Sequence, residues 1–223
     1  MFKPAEEIRE EFDKAALKFD RNGGVPTKGL IYEYLSGQLP SRGELALDIG
    51  CGLGGFTSRL AERFERVVAL DLSPEMVRVV RKNTSEYTNI EFIIADVNKW
   101  DFPAAQFDCI VSITTLHHMP LEPVLKKMKD GLRPGGILLV GDLYESRGIR
   151  KYKKTILSKI KEWRRKLFKS NSQKRSASRP MWEHDLNERF LPMKEVRRIC
   201  DSLLQDAKVV EHQRHYSIVW IKP

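Results

Sequence analysis

The chain has 223 residues, of which 41% are apolar and 31% charged, a composition that excludes a disordered segment and suits one well-buried domain. No apolar run approaches the roughly 20 residues that span a bilayer, and Met1-Phe2-Lys3-Pro4-Ala5-Glu6-Glu7 has no apolar core for a signal peptide, so a cytoplasmic setting is expected. The net charge is +9, yet residues 147–180 carry 14 Lys/Arg against one acid, Glu162, which leaves a net −4 for the rest of the chain.

Residues 5–20 form the first predicted helix, with Ile8, Phe12, Ala15, Ala16 and Phe19 at helical spacing, broken by Arg21-Asn22-Gly23-Gly24-Val25-Pro26. A short helix over 28–36 completes an N-terminal helical cap, residues 1–40. Glu44 to Ile49 is a buried strand that runs into a glycine loop, Gly50-Cys51-Gly52-Leu53-Gly54-Gly55, and a helix over about 55–64. Val67 to Leu70 is the second strand and ends on Asp71; Ser73 as N-cap and Pro74 in the first turn start the next helix. Ile90 to Ile94 and Phe107 to Ile113 are strands three and four, residues 121–131 a helix, Leu132-Arg133-Pro134-Gly135-Gly136 a turn, and Ile137 to Val140 strand five. A helix over about 193–204 precedes two strands, 207–211 and 215–221, close enough for an antiparallel hairpin at the sheet edge. Strands that are near-continuous apolar runs, alternating with helices, indicate an α/β fold whose parallel sheet is covered on both faces. The whole chain reads as a single domain, 1–223.

In such sheets ligands gather at the carboxyl ends of the strands, and three signals fall there. Around the glycine loop, Asp48, Gly50, Gly52 and Gly54 provide bare main chain beside a carboxylate. Asp71, with Leu72 and Met76 beyond it, ends strand two, where a carboxylate accepts hydrogen bonds from both hydroxyls of a ribose. Asp96 ends strand three, placed for the exocyclic amine of an adenine, with Val97 donating from its backbone. Gly50, Gly52 and Gly55 also satisfy the dinucleotide pattern GxGxxG. A carboxylate at Asp48 repels a pyrophosphate and tolerates a sulfonium or an ammonium, which disfavours a nicotinamide-dependent oxidoreductase. Cys51, Cys109 and Cys200 form no CxxC pair, and no metal site is expected.

The ordered set LALDIGCGLGGFTSRLA, VVALDLSPEMV, IEFIIADVNKWDFPAAQFDCIVSITTLHHM and LRPGGILLVGDL resembles the class I S-adenosylmethionine-dependent methyltransferases, most closely the broad family that includes the ubiquinone/menaquinone C-methyltransferases. The resemblance covers about residues 44–143, and FDKAALKFD at Phe12 to Asp20 echoes that family's opening, with Phe19 where tyrosine is common. It implies a Rossmann-like fold with a seven-stranded, mostly parallel sheet and an antiparallel last strand. It implies S-adenosyl-L-methionine as cofactor and S-adenosyl-L-homocysteine as product, Asp71 and Asp96 in the roles argued above, and Ile113 and Thr114 beside the methionine portion.

Methyl transfer is an in-line displacement in which alignment supplies most of the acceleration. A base is needed only where the acceptor loses a proton. His117 and His118 follow strand four, and His118 is the candidate base or acceptor contact. Tyr216, Ile218 and Trp220 alternate onto one face of the last strand as core. Ile149, Tyr152, Ile156, Ile160, Trp163 and Leu167 recur at helical steps within the basic stretch. Residues 147–180 therefore read as a basic amphipathic insert, a lid or a surface-binding element for a membrane or nucleic acid. The expected function is methylation of a small-molecule acceptor. The alternatives are an RNA or protein methyltransferase using the insert, and a non-catalytic membrane- or nucleic-acid-binding module on the same fold.

Overall fold

The computed structural model describes residues 2–22, 29–145 and 190–223. The basic insert 147–180, its expected helix between Ile149 and Leu167, and much of the expected break at 21–26 lie outside the described residues. The elements are α1 (Ala5–Asn22), α2 (Leu30–Ser36), β1 (Gly43–Ile49), α3 (Thr57–Ala61), β2 (Phe64–Asp71), α4 (Pro74–Asn83), β3 (Ile90–Ile94), β4 (Phe107–Ile113), a 3-10 turn (Leu116–His118), α5 (Leu121–Gly131), β5 (Leu132–Leu143), α6 (Met193–Leu203), β6 (Lys208–Glu211) and β7 (His215–Ile221).

The seven strands form one sheet in the order β3-β2-β1-β4-β5-β7-β6. β1 to β5 are parallel, and β7 runs antiparallel to both β5 and β6. The last strand thus enters between β5 and β6, and β6 takes the outer edge. Chain order reverses direction between β1 and β4, which opens the crevice where ligands sit in sheets of this type.

Each face of the sheet is buried by helices. Leu47, Ile49, Ile110, Leu138 and Val140 pack with Val124, Leu125 and Met128 of α5 and Val196, Ile199 and Cys200 of α6. Ala46, Val67, Val111 and Leu139 face Ile31 and Leu35 of α2 and Leu60 of α3. Gly141 carries the close approach of α2, since a Cβ there would lie 2.7 Å from Ile31. Tyr216, Ile218 and Trp220 are buried on one face, as their alternation predicts. α1 lies against α4, with Ala16 buried among Leu53, Met76 and Val79.

Several boundaries differ from the sequence reading, among them the helix expected over about 55–64, which spans Thr57–Ala61, and strand five, which runs past Val140 to Leu143. The expected turn at Leu132 to Gly136 is the beginning of β5: Phe107 pairs with Leu132 and Cys109 with Ile137, so the Pro-Gly-Gly stretch is a bulge held within the sheet. Its far side is tied to the carboxyl end of the chain, with Gly135 N–H donating to Lys222 O at 2.8 Å and Lys222 N–H to Gly136 O at 2.9 Å. β2 also begins three residues before Val67, at Phe64, whose ring fills the space beside Gly43.

The amino end of β1 is held by Asp108 on β4. Its Oδ2 accepts from Glu44 N–H and Leu45 N–H, both at 2.7 Å, while Arg133 pairs with the same carboxylate. Asp108→Ala leaves these two strand donors without an acceptor and is expected to cost about 2–3 kcal/mol, measured as a lowered urea midpoint at unchanged slope. An unchanged midpoint contradicts this role.

Candidate functional site

A cavity of about 610 Å³ opens at the carboxyl ends of β1, β2 and β4 and is roofed by α1. It receives Gly50, Gly52, Asp71, Leu72, Met76, Asp96, Val97, Ile113, Thr114 and His118 of the expected site residues. Asp48 and Gly54 do not line it.

The glycine loop is laid against β2 by Gly50 N–H and Cys51 N–H, which both donate to Leu70 O, at 2.7 and 3.1 Å. Gly50 has φ 72°, and a Cβ there would stand 2.2 Å from Thr115 Oγ1. The loop can therefore pass over the 3-10 turn only as glycine. Gly54 serves packing instead: a Cβ would meet Val80 of α4 at 2.6 Å.

Asp71 is buried at the end of β2. Its Oδ2 accepts from Gly52 N–H and its Oδ1 from Ser73 N–H, both at 2.9 Å. Burial pushes its carboxyl upward, and these backbone donors pull it back down. Each oxygen retains acceptor capacity on the cavity side, which matches a vicinal diol. Ser73 caps α4 by accepting from Met76 N–H at 3.0 Å and donates its own hydroxyl to Asp13 of α1 at 2.5 Å. The roof helix is thereby pinned to the wall that carries Asp71. Asp96 uses Oδ1 to accept from Asn98 N–H at 2.9 Å and from Asn98 Nδ2 at 3.1 Å.

Asp48 faces the other side of β1, where Thr57 Oγ1 donates to its Oδ2 at 2.6 Å. Burial raises its carboxyl to about 7, with the Thr57 bond opposing and nearby Asp71 reinforcing the rise. Because the folded value lies above the unfolded one near 4, stability from this group is fully present below pH 4 and is lost as pH rises through 7. Asp48→Asn is therefore expected to stabilise the protein above pH 7 and to change little near pH 4, read from urea midpoints at pH 4.5 and pH 8. Equal effects at both pH values contradict this. With its side chain behind the strand, Asp48 is a through-space influence on the cavity and not part of its wall.

The far end of the cavity is built on histidine. Thr114 sits in the left-handed region at φ 57° and donates N–H to Gly141 O at 2.7 Å, which turns the chain after β4 into the 3-10 element. Asp142, fully buried, accepts there from His117 N–H at 2.8 Å and from Leu143 N–H at 2.7 Å, and lies 2.6 Å from His117 Nδ1. His117 is thereby held behind the wall, and His118 lines the cavity with its ring 5.2 Å from Phe12 of α1 and 4.1 Å from the His117 ring. His215, at the head of β7, lines the same cavity. Sequence reasoning missed Asp142 and His215. The first lay beyond the expected end of strand five, and the second sat at a hairpin with no motif around it. Phe2, Ile8, Phe12, Ile31, Tyr32 and Met119 give the remaining wall an apolar character.

Residues 46–136 match the family model described as a methyltransferase domain. In three dimensions, the DhpI-SAM-HEP complex superposes with a TM-score of 0.67 at 20% identity, over 98% of this chain and 97% of that one. The fold is that of the class I S-adenosylmethionine-dependent methyltransferases. Residues 46–136 thus match a methyltransferase-domain model on a fold shared with that complex. Among curated relatives, phosphoethanolamine N-methyltransferase 3 of Arabidopsis thaliana is 36% identical over 138 residues, covering 58% of this chain and 28% of its own length. The malonyl-[acyl-carrier protein] O-methyltransferase of Serratia marcescens is 31% identical over 138 residues, covering 61% of this chain and 52% of its own. The chain thus matches about half or less of the length of these relatives. The residues present fit S-adenosylmethionine: Asp71 at the end of β2 stands between the bare glycine main chain after β1 and Asp96 after β3, with an apolar lining from Leu72 and Met76.

Proposed function

We propose that this protein transfers the methyl group of S-adenosylmethionine to a small-molecule acceptor by in-line displacement. The observation that carries the reading is one continuous cavity with acceptor-rich strand ends, Asp71 and Asp96, at one end and His118 at the other. Its volume, about 610 Å³, is within the ordinary range of ligand sites. In this reading Asp71 holds the ribose hydroxyls, and Asp96 with the Val97 N–H holds the adenine edge. Leu72 and Met76 flank the base. Gly50 and Gly52 expose main chain to the amino-acid portion, and Ile113 and Thr114 lie beside the sulfur. When bound, the cofactor supplies a methyl carbon already activated by a sulfonium. The chain's own task is to orient the acceptor, exclude water under α1, and offer His118 as acceptor contact or base.

The relatives named for phosphoethanolamine and for a malonyl acyl carrier protein support a methylation chemistry and differ in acceptor. A cytoplasmic setting and contact of residues 147–180 with an anionic membrane or nucleic acid belong to this reading as proposals, on the strength of 14 cations against one acid. Vesicle flotation with and without anionic lipid, and salt-dependent RNA binding, test that contact. The function itself is tested by transfer of labelled methyl from S-adenosylmethionine into fractionated acceptor pools. Label in an organic-soluble or small polar product supports it. Label confined to RNA or protein moves the acceptor to that class, and no transfer with the cofactor bound supports the non-catalytic module.

A further inference from the structure

We propose that His215 is a second proton-accepting residue of the acceptor end, lining the same cavity as His118, and that the buried Asp142 supplies the counter-charge. This rests on the methyltransferase reading and extends it to the kind of acceptor: a nucleophile that must lose a proton, such as a hydroxyl, an amine N–H or an acidic C–H.

Three independent elements bring the groups together. The 3-10 turn after β4 presents His118 to the cavity, β7 presents His215 to it, and β5 places Asp142 against His117. Asp142 pairs in register with Tyr216 and Leu143 with His215, so Asp142 and His215 stand one rung apart with side chains on opposite faces of the ladder, both at its end beside the cavity. His118 is buried and His215 half-buried in a cavity whose other walls are largely apolar. For His215 these surroundings favour the uncharged imidazole, the form that accepts a proton. Burial lowers its pKa, as do Arg214, His212 and His117, whereas Asp142 raises it. On the His118 side the facing groups are the His117 ring and Phe12. Asp142 accepts from the His117 backbone and Leu143 backbone and contacts His117 Nδ1, which holds its carboxyl group beside that imidazole without access to solvent.

The step balances within this set. A lone pair on the acceptor forms a bond to the methyl carbon, the carbon–sulfur pair returns to sulfur to give the neutral thioether, and the acceptor's proton passes to an imidazole nitrogen. The positive charge that leaves the sulfonium reappears on a histidine close to Asp142. No further oxidant, reductant or metal enters.

The test needs no identified acceptor. Histidine side chains labelled with ¹⁵N are titrated by NMR in the full chain, saturated first with S-adenosylhomocysteine and then with S-adenosylmethionine, and the His215 signal is assigned by its loss in His215→Gln. The sulfonium adds one positive charge at the methyl end. The expected result is a His215 midpoint lower with S-adenosylmethionine by about half a unit, with His212, which does not line the cavity, moving less. Asp142→Asn is expected to lower the His215 midpoint in both complexes. His215→Gln is expected to keep its affinity for S-adenosylhomocysteine within twofold. An unmoved His215 midpoint with both ligands bound, or a tenfold loss of S-adenosylhomocysteine affinity in His215→Gln, overturns the proposal alone. Failure of both ligands to bind the folded wild type overturns the methyltransferase reading, and the proposal with it.

Discussion

Asp71→Ala is expected to weaken S-adenosylhomocysteine binding by about a hundredfold, close to 3 kcal/mol. Both oxygens of Asp71 already accept a backbone N–H, from Gly52 and from Ser73. The carboxylate is therefore fixed before the ligand arrives, and no side-chain entropy is spent on binding. Two charge-assisted bonds to ribose hydroxyls, each contributing about 1.5–3 kcal/mol, disappear with it. The substitution also releases Gly52 N–H from the glycine loop. Stability receives two opposed contributions, since the Gly52 and Ser73 N–H groups lose their acceptor while a buried charge is removed. Burial holds the Asp71 carboxyl above its ordinary range, so removing that charge relieves a cost in the ligand-free protein. Calorimetry and a thermal melt on the same sample separate the two effects. A variant that binds within threefold of wild type contradicts the assignment of Asp71 to the ribose.

Gly50→Ala is expected to destabilise the protein by about 3 kcal/mol and to lower its melting temperature by roughly 6–12 °C. Two costs combine there. The residue sits at φ 72°, a conformation L side chains adopt with strain, and its new methyl would lie 2.2 Å from Thr115 Oγ1 and 2.4 Å from Thr115 Cγ2. Neither neighbour moves freely, because Thr115 opens the turn that Asp142 clamps through His117. Thr115→Ala in the same chain removes the clash and leaves the strain. The double variant is therefore expected to recover about half of the lost stability. Gly50→Ala melting within 2 °C of wild type contradicts this packing of the loop on Thr115.

The strand-end acids were legible for a simple reason. Apolar runs such as VVAL and EFIIA mark strands, and the first acid after each run falls at the carboxyl edge, where Asp71 and Asp96 are found. The facing of Asp48 was not legible. β1 is buried on both sides, so alternation carries no sign: Leu47 and Ile49 pack toward α5, while Ala46 packs toward α2 and α3. Asp48 takes the side of Ala46 and meets Thr57. The same blindness shortened strand five. Strand five reads only to Val140 in the sequence, yet Gly141 is there to admit Ile31 and Leu35, and Asp142 stays in the ladder opposite Tyr216. The hairpin of β6 and β7 was legible from the short gap between them, but not the insertion of β7 beside β5, which is a long-range pairing with no local signature. The histidine end emerges only once β5 and β7 are adjacent, because Asp142 lies 25 residues from His117 and 73 from His215 in the chain.

That the cavity over β1, β2 and β4 is an S-adenosylmethionine site is tested most directly by calorimetric titration of the wild-type chain with S-adenosylhomocysteine, alongside NADH. The expected result is saturable one-to-one binding of S-adenosylhomocysteine and no heat from NADH. A folded protein that binds NADH and ignores S-adenosylhomocysteine would contradict that assignment, and with it the roles of Asp71, Asp96 and the histidines.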